Sequence, residues 1–407
     1  MSEGEDMEHI KFTGVTSRGI RLPILKKGDD LKNAVITSIL DASENEGFEL
    51  NDRDVIAITE SIVARVQGNY CTVDDIAADI KSKIGEDGNI CVLYPILSRN
   101  RFSILLKGIA KAAKEVTLVL SYPSDEVGNA LITYDQLDDN NIDPSMKTLD
   151  IKEYRKLFGK NTHEFTGVDY VQYYQDLIEA EGAKCQILFS NRTKYIASMG
   201  FDAYIAADIH TRERTKKLIT DFDPRNTVFG LDDIMNKPIN GSGYNARYGL
   251  LGSNKADEET VKLFPRDAEE LLESIQKEIL TITGKKVEVM VYGDGAFKDP
   301  QGKIWELADP VVSPFYTDGL VGTPNEIKLK YMADNKFKDL HGKELQDAIK
   351  DEIKAKEANL KGNMSSEGTT PRKITDLLGS LADLTSGSGD KGTPVVLIQG
   401  YFNNYAD

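Results

Sequence analysis

Apolar residues in the N-terminal third of the chain alternate between helical and strand-like spacing. One run at helical spacing follows an aspartate in the capping position and comprises Leu31, Val35, Ile36 and Ile39. The next run, VIAITESIV, is β-branched and typical of a strand that is covered on both faces. Further runs, NICVLYPIL, EVTLVLSYP and NALITYD, predict strands, and FSILLKGIAKAAK predicts a helix between the first two. Strands that alternate with helices predict an α/β fold with mixed layers.

The pattern of polar and apolar residues changes between about Asp135 and Asn240. A polar loop, DQLDDNNIDPS, opens this segment, which then carries helix-like and strand-like runs of its own. A segment with its own elements can form an inserted subdomain. We therefore expect residues 1–134 and 241–407 to be two portions of one core, with residues 135–240 as a separate inserted lobe.

The last third of the chain has two glycine-rich stretches that flank a helix and a strand. The first stretch, NGSGYNARYGLLGSN, ends at Asn254. Pro265 then opens a predicted helix that Gly284 ends, and the apolar strand VEVMVY follows at once. The second stretch, SGSGDKGTP, leads into a final predicted strand, VVLIQGY.

An acidic residue, Asp294, lies between two glycines directly after the strand VEVMVY, and Asp299, Glu306 and Asp309 follow it. Flanking glycines let backbone groups approach a ligand closely. A carboxylate at the end of a buried strand can hold a hard cation, which in turn holds phosphate oxygens. Asp294 and Asp299 are therefore candidate metal ligands. Each could instead be an ordinary turn residue that bonds nearby backbone.

The two glycine-rich stretches can each present several N–H groups to one anion. Neither matches the P-loop pattern, because no Gly-Lys-Ser/Thr follows at the required distance. Either could also be a flexible surface loop. An acidic metal position with two amide-rich loops suits a nucleotide site outside the P-loop class. The candidate phosphate-binding residues in these loops are Gly249, Gly252, Ser253, Asn254, Gly389 and Gly392.

The balance of charge limits the kinds of molecule that this protein is expected to bind. The chain has 407 residues with 50 Lys+Arg against 66 Asp+Glu, a formal net charge of −16. Such a surface disfavours a polyphosphate backbone, so we expect no nucleic-acid partner. The three cysteines lie far apart and are interpreted as reduced core residues. No apolar run resembles a signal region or a membrane span, so we expect no membrane association and a cytoplasmic location.

The outer thirds of the chain, taken in order, resemble the coenzyme F420-0:L-glutamate ligase family. The resemblance rests on GDDL, NDRDVIAITESIVARVQG, GLLGSN, LFPRDAEELLESIQKEI, TGKKVEVMVYGDG and SGDKGTPVVLIQG. It leaves out residues 135–240 and 324–362. It implies a mixed α+β F420 gamma-glutamyl ligase-like core and a homodimer. It also implies an enzyme that joins a phosphate-bearing deazaflavin precursor to glutamate, driven by GTP and a divalent metal.

Five positions depart from the family's motifs, and two of them are Gly293 and Gly295, where the family has threonines. A metal-binding aspartate of the family falls on Leu251, and a lysine and a glutamate fall on Arg65 and Gln67, whereas a second metal-binding aspartate is retained as Asp294. Arg65 can still bind phosphate and is the candidate catalytic residue, but Leu251 cannot hold a metal. Carboxylates that could replace it are Asp125, Glu126, Asp257, Glu258, Glu259 and Asp299.

These features together predict an amide (gamma-glutamyl) ligase that uses GTP or ATP and Mg²⁺ or Mn²⁺. Its small-molecule partners would be coenzyme F420-0 or a related phosphorylated acid, with glutamate or another amino acid. Two other hypotheses stay open. The protein could be a non-catalytic or regulatory phosphate- or nucleotide-binding protein of the same fold, which Leu251 favours. It could also be a metal-dependent phosphohydrolase that uses the same carboxylates without an amine.

Overall fold

The computed structural model describes residues 13–296, 308–369, 372–386 and 389–407. Within those residues the chain forms thirteen α-helices and fourteen β-strands in a mixed α/β arrangement. The strands form three sheets of five, six and three strands. None of the helices in this part of the chain is long and apolar enough to cross a membrane.

Both ends of the chain contribute to the five-stranded sheet, which we call the core sheet. Its strands, in spatial order, are β1 (Thr16–Ile20), β14 (Val395–Gln399), β2 (Val55–Thr59), β12 (Glu288–Tyr292) and β13 (Phe315–Tyr316). Strands β2 and β12 are parallel, so that Thr59 lies beside Tyr292. The carboxyl ends of these two central strands therefore lie at the same edge of the sheet.

Helices cover both faces of the core sheet. Apolar residues of α1 (Leu31–Glu46) and α10 (Glu269–Thr283) pack on one face, and those of α13 (Ile374–Ser386) pack on the other. Asp30 caps α1 by accepting a hydrogen bond from the backbone N–H of Asn33, and Gly284 ends α10 in the left-handed conformation. The caps predicted for these two helices are therefore confirmed. Helix α2 (Glu60–Gln67) follows β2 without a loop.

The six-stranded sheet forms a second layered body, which we call the lobe. Its strands, in spatial order, are β6 (Leu149–Asp150), β7 (Lys184–Phe189), β5 (Ala113–Leu120), β4 (Gly88–Leu93), β8 (Ala203–Ala206) and β9 (Val228–Gly230). All neighbouring pairs are parallel except β6 with β7. Its helices are α3 (Val73–Ile84), α4 (Phe102–Ala112), α5 (Tyr134–Asp139), α6 (Ile151–Phe158), α7 (Tyr170–Ala180), α8 (Thr193–Ala197) and α9 (Arg212–Phe222).

The change from the core sheet to the lobe comes earlier than the boundary expected near residue 135. Strands β4 and β5 come before that residue, yet they pair with β8 and β7 of the lobe. The physical reason is that a continuous apolar run indicates a strand that is buried on both faces. It does not indicate which sheet contains that strand.

The strand predicted for NALITYD is wrong. Ala130 makes only an isolated bridge with Ser124, and α5 begins at Tyr134. The Asp125 carboxylate accepts hydrogen bonds from the backbone N–H groups of Val127 and Asn129, which holds this apolar segment in a turn.

The remaining elements belong to neither of the two larger sheets. The three-stranded sheet consists of β10 (Asn254–Lys255), β11 (Thr260–Lys262) and β3 (Tyr70–Thr72). Two further helices, α11 (Leu329–Asp334) and α12 (Gly342–Ala355), form a small apolar cluster of their own. Single 3-10 turns lie at Leu231–Asp233, Asp318–Leu320 and Met364–Ser366.

Candidate functional site

A cleft of about 840 Å³ opens where the parallel strands β2 and β12 end. Ligands of α/β proteins commonly bind outside the carboxyl ends of such strands, because the connecting loops converge there. The lining comprises Leu22, Pro23, Ile24, Leu25, Thr59, Glu60, Ser61, Ile62, Arg65, Tyr292, Asp294, Asp383, Leu384, Ser386, Gly389, Gly392, Thr393 and Pro394.

The first turn of helix α2 forms one wall of the cleft. Because α2 starts at Glu60, the backbone N–H groups of Glu60, Ser61 and Ile62 have no acceptor within the helix, and the helix dipole adds positive potential there. Arg65 lies one turn further along, is exposed to solvent and lines the same cleft. None of the ion pairs among the described residues includes Arg65. This wall can therefore bind an anionic group.

Asp294 lies on the floor of the cleft and is paired with an arginine from the lobe. Arg101 Nη2 donates to Asp294 Oδ2 at 2.8 Å, and Arg101 Nη1 donates to Asp309 Oδ1 at 2.7 Å. The backbone N–H of Asp294 donates to Asp309 Oδ2 at 2.8 Å. The Asp309 side chain is only 1% exposed. Arg101, which is distant in sequence, and Asp309 thus hold the turn that follows β12.

The glycines beside Asp294 allow carboxylates to approach this turn. A Cβ on Gly293 would lie 2.3 Å from Asp309 Oδ2, and one on Gly295 would lie 3.1 Å from Asp383 Oδ2. The backbone N–H of Gly295 donates to that same Asp383 oxygen at 2.9 Å. The close approach of Asp309 therefore requires glycine at position 293, and Ser380 and Asp383 leave little room for a Cβ at position 295.

A second ion pair lies at the start of α2. Lys262 Nζ donates to Glu60 Oε1 at 3.0 Å and to Ser61 Oγ at 2.8 Å. Both Glu60 and Lys262 are buried. Four carboxylates and two cations therefore lie in or behind the lining of the cleft, and we call them the charge cluster: Glu60, Asp294, Asp309, Asp383, Arg101 and Lys262.

Burial and neighbouring charges shift the protonation equilibria of the charge cluster. Burial raises the pKa of Glu60, Asp309 raises it further, and Lys262 opposes both. Burial also raises the pKa of Asp383, with the Gly295 amide opposing. Burial lowers the pKa of Arg101, but Asp309 and Asp294 outweigh it, so the net shift is upward. Arg101 is therefore a permanent cation.

The structure brings Arg65, Asp294, Gly389 and Gly392 together in the lining of the cleft. These four residues come from α2, from the turn after β12 and from the loop before β14. The loop supplies backbone to the lining of the cleft. The candidates from three separate segments thus share one site.

The loop 249–254 does not line this cleft. A Cβ on Gly249 would lie 2.4 Å from the carbonyl oxygen of Ile234, and one on Gly252 would lie 2.5 Å from the Phe264 ring. Ser253 is buried and donates to a carbonyl oxygen of its own loop, while Asn254 begins β10. Close packing therefore accounts for these glycines. A phosphate-binding role for the loop stays a prediction.

Metal binding by Asp294 and Asp299 stays a prediction. Among the residues that the structure describes, no three acidic, histidine or cysteine side chains are grouped in a way that could hold a metal. Asp294 and Asp309 both bond the Arg101 guanidinium instead, and Leu251 is buried among apolar residues. Asp299 lies outside the residues that the structure describes.

The carboxylates suggested as replacements at Leu251 have other partners or lie elsewhere. Glu258 pairs with Lys255, and Glu259 pairs with Lys107. Asp125 accepts backbone hydrogen bonds within the lobe, as does Glu126. None of them is among the residues that line the cleft.

Comparison with known proteins identifies the family. The family model for F420-0:Gamma-glutamyl ligase matches residues 19–400. The chain belongs to this family. The resemblance of the outer thirds and the mixed α/β fold that it implied are thus confirmed, and the match runs through the lobe as well.

Proteins similar to this member of the F420-0:Gamma-glutamyl ligase family are named coenzyme F420:L-glutamate ligase. The one from Methanocaldococcus jannaschii is 29% identical over 161 residues, 38% of this chain and 49% of the relative. The one from Methanosarcina acetivorans is 34% identical over 97 residues, 23% of this chain and 33% of the relative. The one from Methanothermobacter thermautotrophicus is 32% identical over 84 residues, 19% of this chain and 31% of the relative. The chain thus spans about a third to a half of each relative's length.

Proposed function

We propose that this protein is an amide ligase of the gamma-glutamyl type. It joins the carboxylate of a phosphorylated acid, coenzyme F420-0 or a related compound, to the amine of glutamate or another amino acid. GTP or ATP drives the reaction. The observation that carries the proposal is the cleft at the ends of β2 and β12, whose lining combines the first turn of α2 and Arg65 with the acidic residues Asp294 and Asp383.

The chemistry requires activation of the acid. A carboxylate is a poor electrophile, so its oxygen first attacks the γ-phosphorus, the bond to the nucleoside diphosphate breaks, and an acyl phosphate forms. The amine nitrogen then attacks the acyl carbon, loses a proton, and inorganic phosphate leaves. Both steps require that the reacting groups are aligned, that the phosphate charge is neutralised and that water is excluded from the site.

The chain's own groups are suited to these tasks. Arg65 presents an exposed guanidinium that can bind phosphate through two parallel hydrogen bonds. The amides of the first turn of α2 and of the loop around Gly389 and Gly392 can add N–H donors. The carboxylates of Asp294 and Asp383 line the same cleft, where they would attract the ammonium group of an amino acid.

The proposed reaction also depends on Mg²⁺ or Mn²⁺, which would accompany the nucleotide and for which Asp294 and Asp299 stay the candidate ligands. Magnesium commonly keeps several waters and binds through substrate phosphates with one or two carboxylates. The homodimer implied by the resemblance stays a prediction that light scattering can test.

The test is whether nucleotide turnover depends on both co-substrates. Nucleoside diphosphate release is measured with the phosphorylated acid alone, with glutamate alone and with both. We expect release only when both are present, together with an amide product in the mass spectrum. Phosphate release without an amine would instead identify a phosphohydrolase. Nucleotide binding without turnover would identify a binding protein, which the buried Leu251 would favour.

A further inference from the structure

A second hollow, of about 740 Å³, is lined by residues of β1 and α1 and lies next to the candidate cleft. We call it the basic groove. We propose that the basic groove binds the phosphate group of the acid substrate through Arg18, Arg21 and Lys391. That the groove is an anion site rests on its own geometry, whereas the assignment of the anion to the acid substrate rests on the proposed function.

The basic groove adjoins the cleft, because two segments of the chain line both hollows. Arg21 lines the groove and Leu22 lines the cleft. Lys391 lines the groove, Gly392 lines the cleft and Thr393 lines both. The backbone N–H of Leu22 donates to the carbonyl oxygen of Gly392 at 3.3 Å, which joins the two segments. One elongated ligand can therefore have one end in each hollow.

Positive charge is concentrated in the basic groove. Among the described residues that line it, Arg18, Arg21 and Lys391 are cationic and Glu46 is acidic. The whole chain, in contrast, has a formal net charge of −16. A concave surface lined mainly by one sign of charge focuses the electric field. The groove therefore attracts an anion that most of the surface repels.

Arg18 is oriented before any ligand arrives. Its Nη1 donates to Gln399 Oε1 at 2.6 Å, and its guanidinium lies 4.6 Å from the centre of the Phe48 ring. Gln399 Nε2 in turn donates to the buried Asp54 carboxylate at 2.6 Å and to the carbonyl oxygen of Glu49 at 2.9 Å. A guanidinium has five N–H donors, so this contact leaves others for a ligand. The groove thus holds a preformed cation, as a precise binding site requires.

A phosphate group matches the basic groove better than a carboxylate does. A phosphate monoester carries about −1.5 to −2 charges near neutral pH and has three strong acceptor oxygens. A carboxylate carries one charge on two oxygens. The groove offers three cationic side chains, and the hydroxyl-bearing residues Ser38 and Thr385 also line it. Several donors and a charge of this size suit a dianion.

This assignment divides the anionic groups of the proposed reaction between the two hollows. The first turn of α2 and Arg65 line the cleft, where the nucleotide phosphates and the reacting carboxylate would meet. The phosphate of the acid would bind at a distance from them, in the basic groove. Binding energy from such a remote group can hold the carboxylate in position for attack. The three cations of the groove would therefore determine which acid is used.

The experiment is a calorimetric titration of the full chain with inorganic phosphate, without nucleotide or glutamate. The parent chain carries Arg65→Ala, so that binding at the wall of the cleft does not conceal the groove. We expect Arg21→Ala together with Lys391→Ala to weaken phosphate binding at least about tenfold, because a charge-assisted hydrogen bond is worth that much in affinity. Both side chains are exposed, so this variant should fold. Lys194→Ala, which removes an exposed cation of the lobe, is the matched control and should behave as the parent.

Two further measurements make the test specific. Succinate, a dicarboxylate, should bind the parent at least about tenfold more weakly than phosphate, and equal affinities would overturn the choice of a phosphate group. In the ligase assay, the double change in the otherwise native chain should lower kcat/KM for the phosphorylated acid at least about tenfold and leave KM for the nucleotide unchanged.

A parent chain that binds no phosphate would overturn the proposal, as would equal phosphate affinity in the double variant and the Lys194→Ala control. Because the titration involves neither nucleotide nor turnover, it decides the anion site even if the ligase assay fails. Failure of the proposed function and failure of the groove are therefore distinguishable.

Discussion

Arg101 donates a hydrogen bond to Asp294 across the boundary between the lobe and the core sheet, with 2.8 Å between Nη2 and Oδ2. These residues are 193 positions apart in sequence. The lobe therefore takes part in the candidate site, because it supplies the cation that faces the turn after β12. This contact connects the lobe to the chemistry that we propose for the cleft.

Loss of Arg101 should destabilise the fold. The side chain pairs with Asp294 and with Asp309, whose side chain is 1% exposed. Removal of one partner of a buried ion pair costs about 3–5 kcal/mol, because it leaves a charge uncompensated. We expect a loss of this order in the free energy of unfolding of Arg101→Ala, measured in urea. A loss below about 0.5 kcal/mol, the usual range for surface changes, would contradict the burial that we describe.

Arg65→Ala should weaken ligand binding without a comparable loss of stability. Arg65 is exposed and lines the cleft, so it contributes little to folding. A charge-assisted hydrogen bond to phosphate is worth about 1.5–3 kcal/mol, so affinity for the nucleotide should fall roughly tenfold or more. Isothermal titration calorimetry measures the affinity, and thermal melting measures the stability. Arg99→Ala is the control, and equal affinity in Arg65→Ala would remove Arg65 from the site.

Gly293→Ala should disturb the cleft floor. The added Cβ would lie 2.3 Å from Asp309 Oδ2, a distance that neither group can tolerate. Overpacking of this kind typically costs about 1–3 kcal/mol. The matched control is Gly14→Ala, since a Cβ there has no neighbour within 4 Å. Urea unfolding of both variants gives the comparison, and equal stabilities would refute the close approach of Asp309.

The stability of the lobe should fall as the pH rises through the range of mildly acidic values. Burial raises the pKa of Asp208 from 3.8 to about 6, while Thr211 and Thr215 oppose through hydrogen bonds and Glu126 adds to the rise. Between these two values the folded chain binds more protons than the unfolded chain. The stabilising contribution is therefore complete at low pH and is lost as the pH approaches 6.

The variant Asp208→Asn isolates this effect. Its amide carries no charge at any of these pH values, so the fall in the free energy of unfolding should become smaller by up to about 3 kcal/mol. Urea unfolding at several pH values from 4 to 7 measures the slope for both proteins. An unchanged slope would mean that Asp208 titrates near its ordinary value.

The sequence identified part of the candidate site because some signals are local. Asp294 is conspicuous between two glycines, and Gly389 and Gly392 are conspicuous in a dense loop. The structure puts these residues in one cleft with Arg65. Local composition does not distinguish ligand binding from packing, however. The loop 249–254 has the same appearance and is packed against the chain's own backbone and an aromatic ring.

The cations of the charge cluster could not be assigned from sequence, because their partners are distant. Lys262 interrupts the apolar run TVKLF, and a buried ammonium group needs a partner. That signal indicates a pair but does not identify Glu60, which lies 202 positions away. The lobe boundary was missed for a similar reason, since β2 and β4 are both buried apolar strands and only their pairing separates them.

The most direct test of the proposed ligase follows one oxygen atom. The carboxylate of the phosphorylated acid is labelled with ¹⁸O, and turnover proceeds with nucleotide and glutamate. Formation of an acyl phosphate transfers a carboxylate oxygen to phosphorus, and the amine then displaces that oxygen with the phosphate. We predict inorganic phosphate that carries one ¹⁸O for each amide formed, measured by mass spectrometry. Phosphate whose new oxygen comes only from water would contradict the account.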